Sequence, residues 1–178
     1  GTGGSYGSAY GSLSGAVTSA GFRLMGAASY RRSDGYRYNT DFDNTNAYLR
    51  ATYDSDKAGI FDFQAGYQLR SFGSNGFYAG YNPDQWERTS TALASMRWSK
   101  GVGAWTLAGS VSYRKNFDRY DWTRGQAMNR HNTDNIGADL TAHLQWDGGT
   151  TSLGGDYVYN HVFSTNLGEK LSSPRGDY

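Results

Sequence analysis

The sequence has no cysteine, so it can build neither a disulfide framework nor a thiolate metal site, and redox chemistry gives no compartment. No run approaches the roughly 18 consecutive apolar residues of a membrane-spanning helix, which excludes helical spanning. Charge of one sign is also lacking: the formal net charge is +1, which argues against a nucleic acid or other polyanion as partner. The N-terminus, Gly1-Thr2-Gly3-Gly4-Ser5, has no basic region followed by an apolar segment, so any signal peptide is expected upstream or already removed. Only 37% of the 178 residues are hydrophobic, and the mean hydropathy is −0.72. A soluble domain so poor in Leu, Ile and Val has little to bury.

What the sequence does have is 25 glycines, 15 tyrosines and a persistent alternation of apolar and polar residues. Residues 91–114 show it best. Ala92, Ala94, Met96 and Trp98 fall on one face of a first run, and Trp105, Leu107, Gly109, Val111 and Tyr113 on one face of a second. Ser95 and Arg97, then Thr106, Ser110, Ser112 and Arg114, take the opposite faces, and Lys100-Gly101-Val102-Gly103 joins the runs. Period-two alternation on both sides of a Gly-containing connection predicts an antiparallel hairpin with one apolar and one polar face.

The same grammar recurs along the chain. Strands are expected over residues 6–18, 22–31, 46–53, 61–70, 136–146 and 151–162, with tight turns near Gly21, Lys57, Gly101 and Gly148. Long polar loops are expected over residues 32–46, 71–88 and 115–135, and a polar tail at the end. Short turns then fall at one end of the strands and long loops at the other. Phe22, Tyr53, Phe61, Trp98, Trp105 and Trp146 cluster beside the short turns, while Tyr30, Tyr67 and Tyr113 lie near the opposite ends. An all-β antiparallel transmembrane β-barrel explains this order, because its lumen is polar, its periplasmic turns are short and its interfaces carry aromatic girdles. A soluble sandwich alternates too but gives no reason to sort loop lengths and aromatics by end. About eight strands are expected, in a single barrel segment over residues 1–178 with no plug domain.

Eight strands can close into a small barrel, but Ser12, Ser14, Ser29, Ser95, Ser110 and Ser112 would underfill its lumen, and residues 171–178 read as the start of another outer loop. Several stretches carry a family resemblance: Arg32-Ser33-Asp34-Gly35-Tyr36, Phe72-Gly73-Ser74-Asn75-Gly76-Phe77-Tyr78, Asp84-Gln85-Trp86-Glu87, Asp118-Arg119-Tyr120-Asp121-Trp122 and Ser164-Thr165-Asn166-Leu167-Gly168-Glu169. The chain resembles the early barrel of TonB-dependent outer-membrane receptors, most of all the cobalamin receptors of Bacteroidota-type bacteria. The resemblance implies a 22-stranded barrel, a plug outside this chain through which a TonB-type energy transducer acts, a surface lipoprotein as a further partner, and uptake of a scarce corrinoid such as vitamin B12 across the bacterial outer membrane. A siderophore receptor shares that architecture, and a complete eight-stranded structural or adhesive barrel is the alternative from another class.

Candidate ligand-binding residues are the aromatics of the expected outer loops: Phe77, Tyr78, Tyr81, Trp86, Tyr120 and Trp122. Aromatic faces beside Asn, Asp and Gln offer stacking and hydrogen bonds to a small ligand; packing between neighbouring loops is the competing explanation. Asp41, Asp43 and Asn44, with Asn46, make an oxygen-rich set that is a Ca²⁺ candidate, although the spacing is not that of an EF-hand and a solvated acidic loop is the plainer reading. No other metal or cofactor is expected: His131 and His161 lack partners at zinc spacing. Asp139, His143 and Asp156 can be combined into a hydrolytic set, but hydrogen-bonded polar residues of a lumen explain them without catalysis, so no enzyme is expected.

Overall fold

The computed structural model describes residues 1–166 and the backbone of Lys170–Ser173. Ten strands form one sheet in chain order: β1 (Thr2–Gly3), β2 (Ala9–Ser19), β3 (Phe22–Ser33), β4 (Phe42–Ser55), β5 (Gly59–Gly73), β6 (Trp86–Val102), β7 (Trp105–Thr123), β8 (Gln126–Trp146), β9 (Gly149–Ser164) and β10 (Lys170–Ser173). Every neighbouring pair is antiparallel. The chain is all-β among the described residues. Contacts between elements occur only between strands consecutive in sequence, so the fold is a single-layer meander whose edges are β1 and β10.

The expected strands and the four short connections are present, but there are ten strands where about eight are expected, the loops expected over residues 32–46 and 71–88 shrink to 34–41 and 74–85, and three further differences stand out. The loop expected over residues 115–135 is instead strand: β7 and β8 run on to a turn at Arg124-Gly125. The connection at residues 100–103 is shorter than expected, because β6 continues to Val102 and the turn is Gly103-Ala104. Lys170–Ser173 pairs with β9 where a polar tail is expected, while residues 174–178 of that tail lie outside the described residues. Glycine is required where the turns are tightest. Gly21 has φ +81°, and a Cβ there would stand 2.5 Å from the Asp54 carbonyl oxygen. Gly59 has φ +89°, and its Cβ would meet the Ser99 carbonyl oxygen at 2.4 Å.

Register sorts the residues into two faces. One cross-strand row reads Val17, Leu24, Ala51, Phe63, Met96, Val111, Ala138 and Tyr157. The row beside it, on the other face, reads Thr18, Arg23, Thr52, Asp62, Arg97, Ser110, Asp139 and Asp156. The polar face is tied laterally: Arg50 donates to Asp62 from Nε at 2.9 Å, Tyr48 to Gln64 at 3.2 Å and Gln68 to Asn46 at 2.9 Å. Among the described residues nothing covers the apolar face. Ala108, at 8% exposure, is the one buried hydrophobic residue among those described, and Leu140 is 64% exposed.

The hairpins are staggered with a constant step. Phe22, Tyr53, Phe61, Trp98, Gly109, Leu140 and Gly155 form one row across β3 to β9. Relative to that line, the last paired rungs Ser19–Phe22, Ser55–Gly59, Val102–Trp105 and Trp146–Gly149 lie zero, two, four and six residues further toward the short turns. Tyr30, Tyr67, Tyr113 and Tyr157 descend by the same two residues per hairpin. The apolar band between the two lines therefore crosses the strands obliquely. Two residues, about 6.6 Å, per two strands, about 9.6 Å, incline the strands by about 35° to the band's normal.

Candidate functional site

At the long-loop end, three connections converge: residues 34–41, residues 74–85 and the β7–β8 turn at Arg124-Gly125. Residues 74–85 carry Gly, Asn, Pro and Asp, which favour turns over strand. This loop is built around Gln85, which is fully buried. The Gln85 side-chain oxygen accepts from the amides of Tyr78 and Ala79 at 3.1 and 3.4 Å, and its carbonyl accepts from the Ser74 amide at 2.8 Å. Asn39 of the neighbouring loop donates to the Gln85 and Pro83 carbonyls at 2.5 and 2.8 Å. Asn82 donates to the Trp122 carbonyl at 2.7 Å, and Tyr38 to Asp84 at 2.6 Å. The loops are thus fixed by polar groups rather than by an apolar core.

Five of the six aromatic candidates come together. Phe77 and Tyr78 meet edge to face at 4.9 Å, as do Tyr78 and Tyr120 at 5.2 Å, while Tyr81 and Trp122 form a second, tilted pair at 5.8 Å. Tyr120 stands on the polar face of β7, directly opposite Glu87 of β6, whose carboxylate accepts from the Tyr78 hydroxyl. Burial first, and then that carboxylate, raise the Tyr78 hydroxyl well above the ordinary tyrosine value, so it remains a donor. Trp122 lies in a β-bulge between the pairs Asp121–Ala127 and Thr123–Gln126, and bulges of this kind re-aim side chains. Phe77 and Tyr81 keep 81% and 83% of their surface exposed. The arrangement is an aromatic platform with two open rings and a hydrogen-bonding rim, suited to stacking a small ligand but holding no nucleophile and base pair.

Trp86 does not join it. It shares the face of Arg88 and Met96, opposite to Glu87, and lies under two guanidinium groups, Arg119 at 5.6 Å and Arg124 at 5.8 Å. Both arginines are held by carboxylates. Arg119 donates to the fully buried Asp121 at 2.7 and 2.9 Å, and Arg124 to Asp41 at 2.7 and 2.8 Å. The hydrogen bond from Arg124 is the chief reason why the Asp41 carboxyl lies below its ordinary value.

The Ca²⁺ candidates are not gathered around one point. Asp41 is engaged by Arg124, Asp43 accepts from Tyr30, and Asp43 and Asn44 are consecutive strand residues whose side chains take opposite faces. Among the described residues no cluster of three or more His, Asp or Glu is placed to hold a metal ion. Of the hydrolytic candidates, Asp139 and Asp156 are direct cross-strand partners, but Asp139 accepts from Ser110, and His143, four residues along β8, instead contacts Ser152 through Nδ1 at 2.8 Å. Sequence reasoning missed Gln85, Glu87, Asp121 and Arg124 as organisers of this end, since their partners are set by register and loop packing. The quoted stretch 164–169 contributes Ser164, which is buried and accepts from the Asn166 amide at 3.2 Å; Leu167, Gly168 and Glu169 lie outside the described residues. No protein-family model matches the chain, and no curated protein matches it.

Proposed function

We propose that the chain is a stretch of barrel wall from a TonB-dependent outer-membrane receptor that takes up a corrinoid such as vitamin B12. The observation that carries the membrane reading is the uncovered apolar band of constant height between two aromatic-marked lines. Water does not tolerate such a face over a whole sheet, whereas the hydrocarbon of a bilayer covers it without a second protein layer. The inclination of about 35° agrees with the tilt of outer-membrane barrel strands. The polar face then lines the lumen, the short turns face the periplasm and the aromatic platform sits at the outer mouth. The two open edges support a wall that continues in further strands rather than a closed eight-stranded unit.

The corrinoid assignment, the 22-strand total, the plug and its TonB-type transducer come from the resemblance of the loop stretches. Phe77, Tyr78, Tyr81, Tyr120 and Trp122 would make ligand contacts by stacking and hydrogen bonding, with no bond made or broken. Calorimetric titration of the full receptor with cobalamin tests this. Saturable binding is expected, and none at micromolar ligand removes the corrinoid assignment.

A further inference from the structure

On the polar face at the long-loop end, Arg31 of β3 and Arg70 of β5 flank Asn44 of β4 in a single cross-strand row. The next row toward the loops places Phe42 directly opposite Phe72. Each arginine lies over one of these rings, the Arg31 guanidinium carbon 5.5 Å from the Phe42 centroid and that of Arg70 5.4 Å from the Phe72 centroid. Both arginines are exposed, both rings are half-buried, and together with Thr40, Asp43, Asn44, Ser71 and Gly73 they line a cavity of about 420 Å³.

The carboxylate at this cavity, Asp43, accepts from Tyr30, and among the described residues neither Arg31 nor Arg70 has an ion-pair partner, unlike Arg32, Arg50, Arg119 and Arg124. Stacking on a ring fixes the plane of a guanidinium and leaves its N–H edge free, a fork that matches the two oxygens of a carboxylate or phosphate. Between them, Asn44 leaves its side-chain oxygen buried without a partner. The neighbouring row continues Phe72, Glu87, Tyr120, so the cationic pair adjoins the aromatic platform.

We propose that Arg31 and Arg70, seated on the Phe42–Phe72 pair, bind an organic oxyanion, a phosphate ester or carboxylate carried on an apolar group. The proposal rests on the receptor reading only in placing this face on the ligand's path. The phenylalanine floor takes the apolar portion, the two arginines take the oxygens from either side, and Glu87 on the far side of Phe72 rejects a second negative charge in that direction.

The test uses the full receptor folded in neutral detergent micelles, titrated with phenyl phosphate, benzoate and phenol. Phenyl phosphate or benzoate is expected to bind and phenol not. Arg31→Gln and Arg70→Gln should each weaken oxyanion binding by about tenfold or more, whereas Arg23→Gln, on the same face at the short-turn end, should leave it unchanged. Equal affinity for phenyl phosphate, benzoate and phenol, or an Arg31→Gln/Arg70→Gln chain that binds like the parent, overturns the proposal. Insertion into phosphatidylcholine vesicles is measured on the same preparations. A receptor that inserts but shows no preference for the oxyanions sinks this site alone, and one that prefers them but does not insert supports the site while sinking the membrane reading.

Discussion

Tyr113 stands eight residues beyond Trp105 on the same face of β7, and the same spacing separates Phe22 from Tyr30, Gly59 from Tyr67 and Gly149 from Tyr157. Each tyrosine thus sits at a fixed distance from the first residue of its strand. With a rise of about 3.3 Å per residue and an inclination of about 35°, eight residues span about 22 Å along the band's normal, close to the apolar height of an outer-membrane barrel.

A charge should therefore cost most midway between the two lines. Met96→Arg is expected to destabilise the folded, inserted chain by about 2 to 4 kcal/mol. Leu107→Arg, only two residues from Trp105, should cost less, and Ser95→Arg on the polar face least. Urea-dependent unfolding from vesicles measures all three. Equal behaviour of Met96→Arg and Ser95→Arg would contradict the assignment of faces.

If the apolar band faces lipid as proposed, the same height sets a preferred bilayer. Folding yield across vesicles of increasing acyl-chain length should peak where the hydrocarbon thickness is about 22 Å and fall in thicker bilayers, because mismatch carries a cost per ångström. A yield independent of thickness would argue that the band does not face lipid.

Asp121 organises the tip of the β7–β8 hairpin, accepting from Arg119 and from the Gly125 amide at 2.8 Å. Asp121→Asn removes the charge that both donors point at and leaves Arg119 without its partner. Faster amide exchange at Gly125 is expected, with residues 105–113 unaffected. Unchanged protection at Gly125 would show that the turn is held by the ladder alone.

The Asp41–Arg124 pair gives a pH dependence. Because the folded-state carboxyl lies below its ordinary value of 3.8, the pair stabilises the loop junction above that value. The contribution is lost as the pH falls through the lowered folded-state value. Arg124→Ala should move this loss up toward the ordinary carboxylate range. The Gly73 amide, which donates to the Asp41 carbonyl at 2.9 Å, reports it by NMR, and an identical acid profile in the variant would show that the pair is not what holds the junction.

If the platform contacts ligand, Tyr81→Ala and Trp122→Ala should each weaken cobalamin binding to the full receptor by about fivefold or more, since stacked aromatic contacts contribute on the order of 1 kcal/mol. Trp86→Ala, on the other face, should change affinity less. The reverse order would place the ligand outside the lumen mouth.

Where one face is apolar and the other polar, the strands were readable from sequence alone: Phe61, Phe63, Ala65, Tyr67 and Leu69 against Asp62, Gln64 and Gln68 permit one pleated arrangement. Beyond Tyr113 polar residues occupy both faces, with Lys115 opposite Asp134, Asn116 opposite Thr133 and Asp118 opposite His131. Alternation vanishes there and turn-favouring residues suggest a loop. The backbone ladder keeps the strand, helped by pairs such as Thr91–Asn116 at 2.8 Å.

By itself, then, the sequence determined the two faces, the short turns and the aromatic residues at the strand ends, because side-chain direction in a strand follows from position along it. Only the tertiary structure decided the two-residue stagger between hairpins, the separation of Trp86 from Tyr120, and the meeting of Asp41 with Arg124 across 83 positions. Those depend on register between strands and on how loops close over them. Such long-range hydrogen bonding leaves no periodic trace in any one segment.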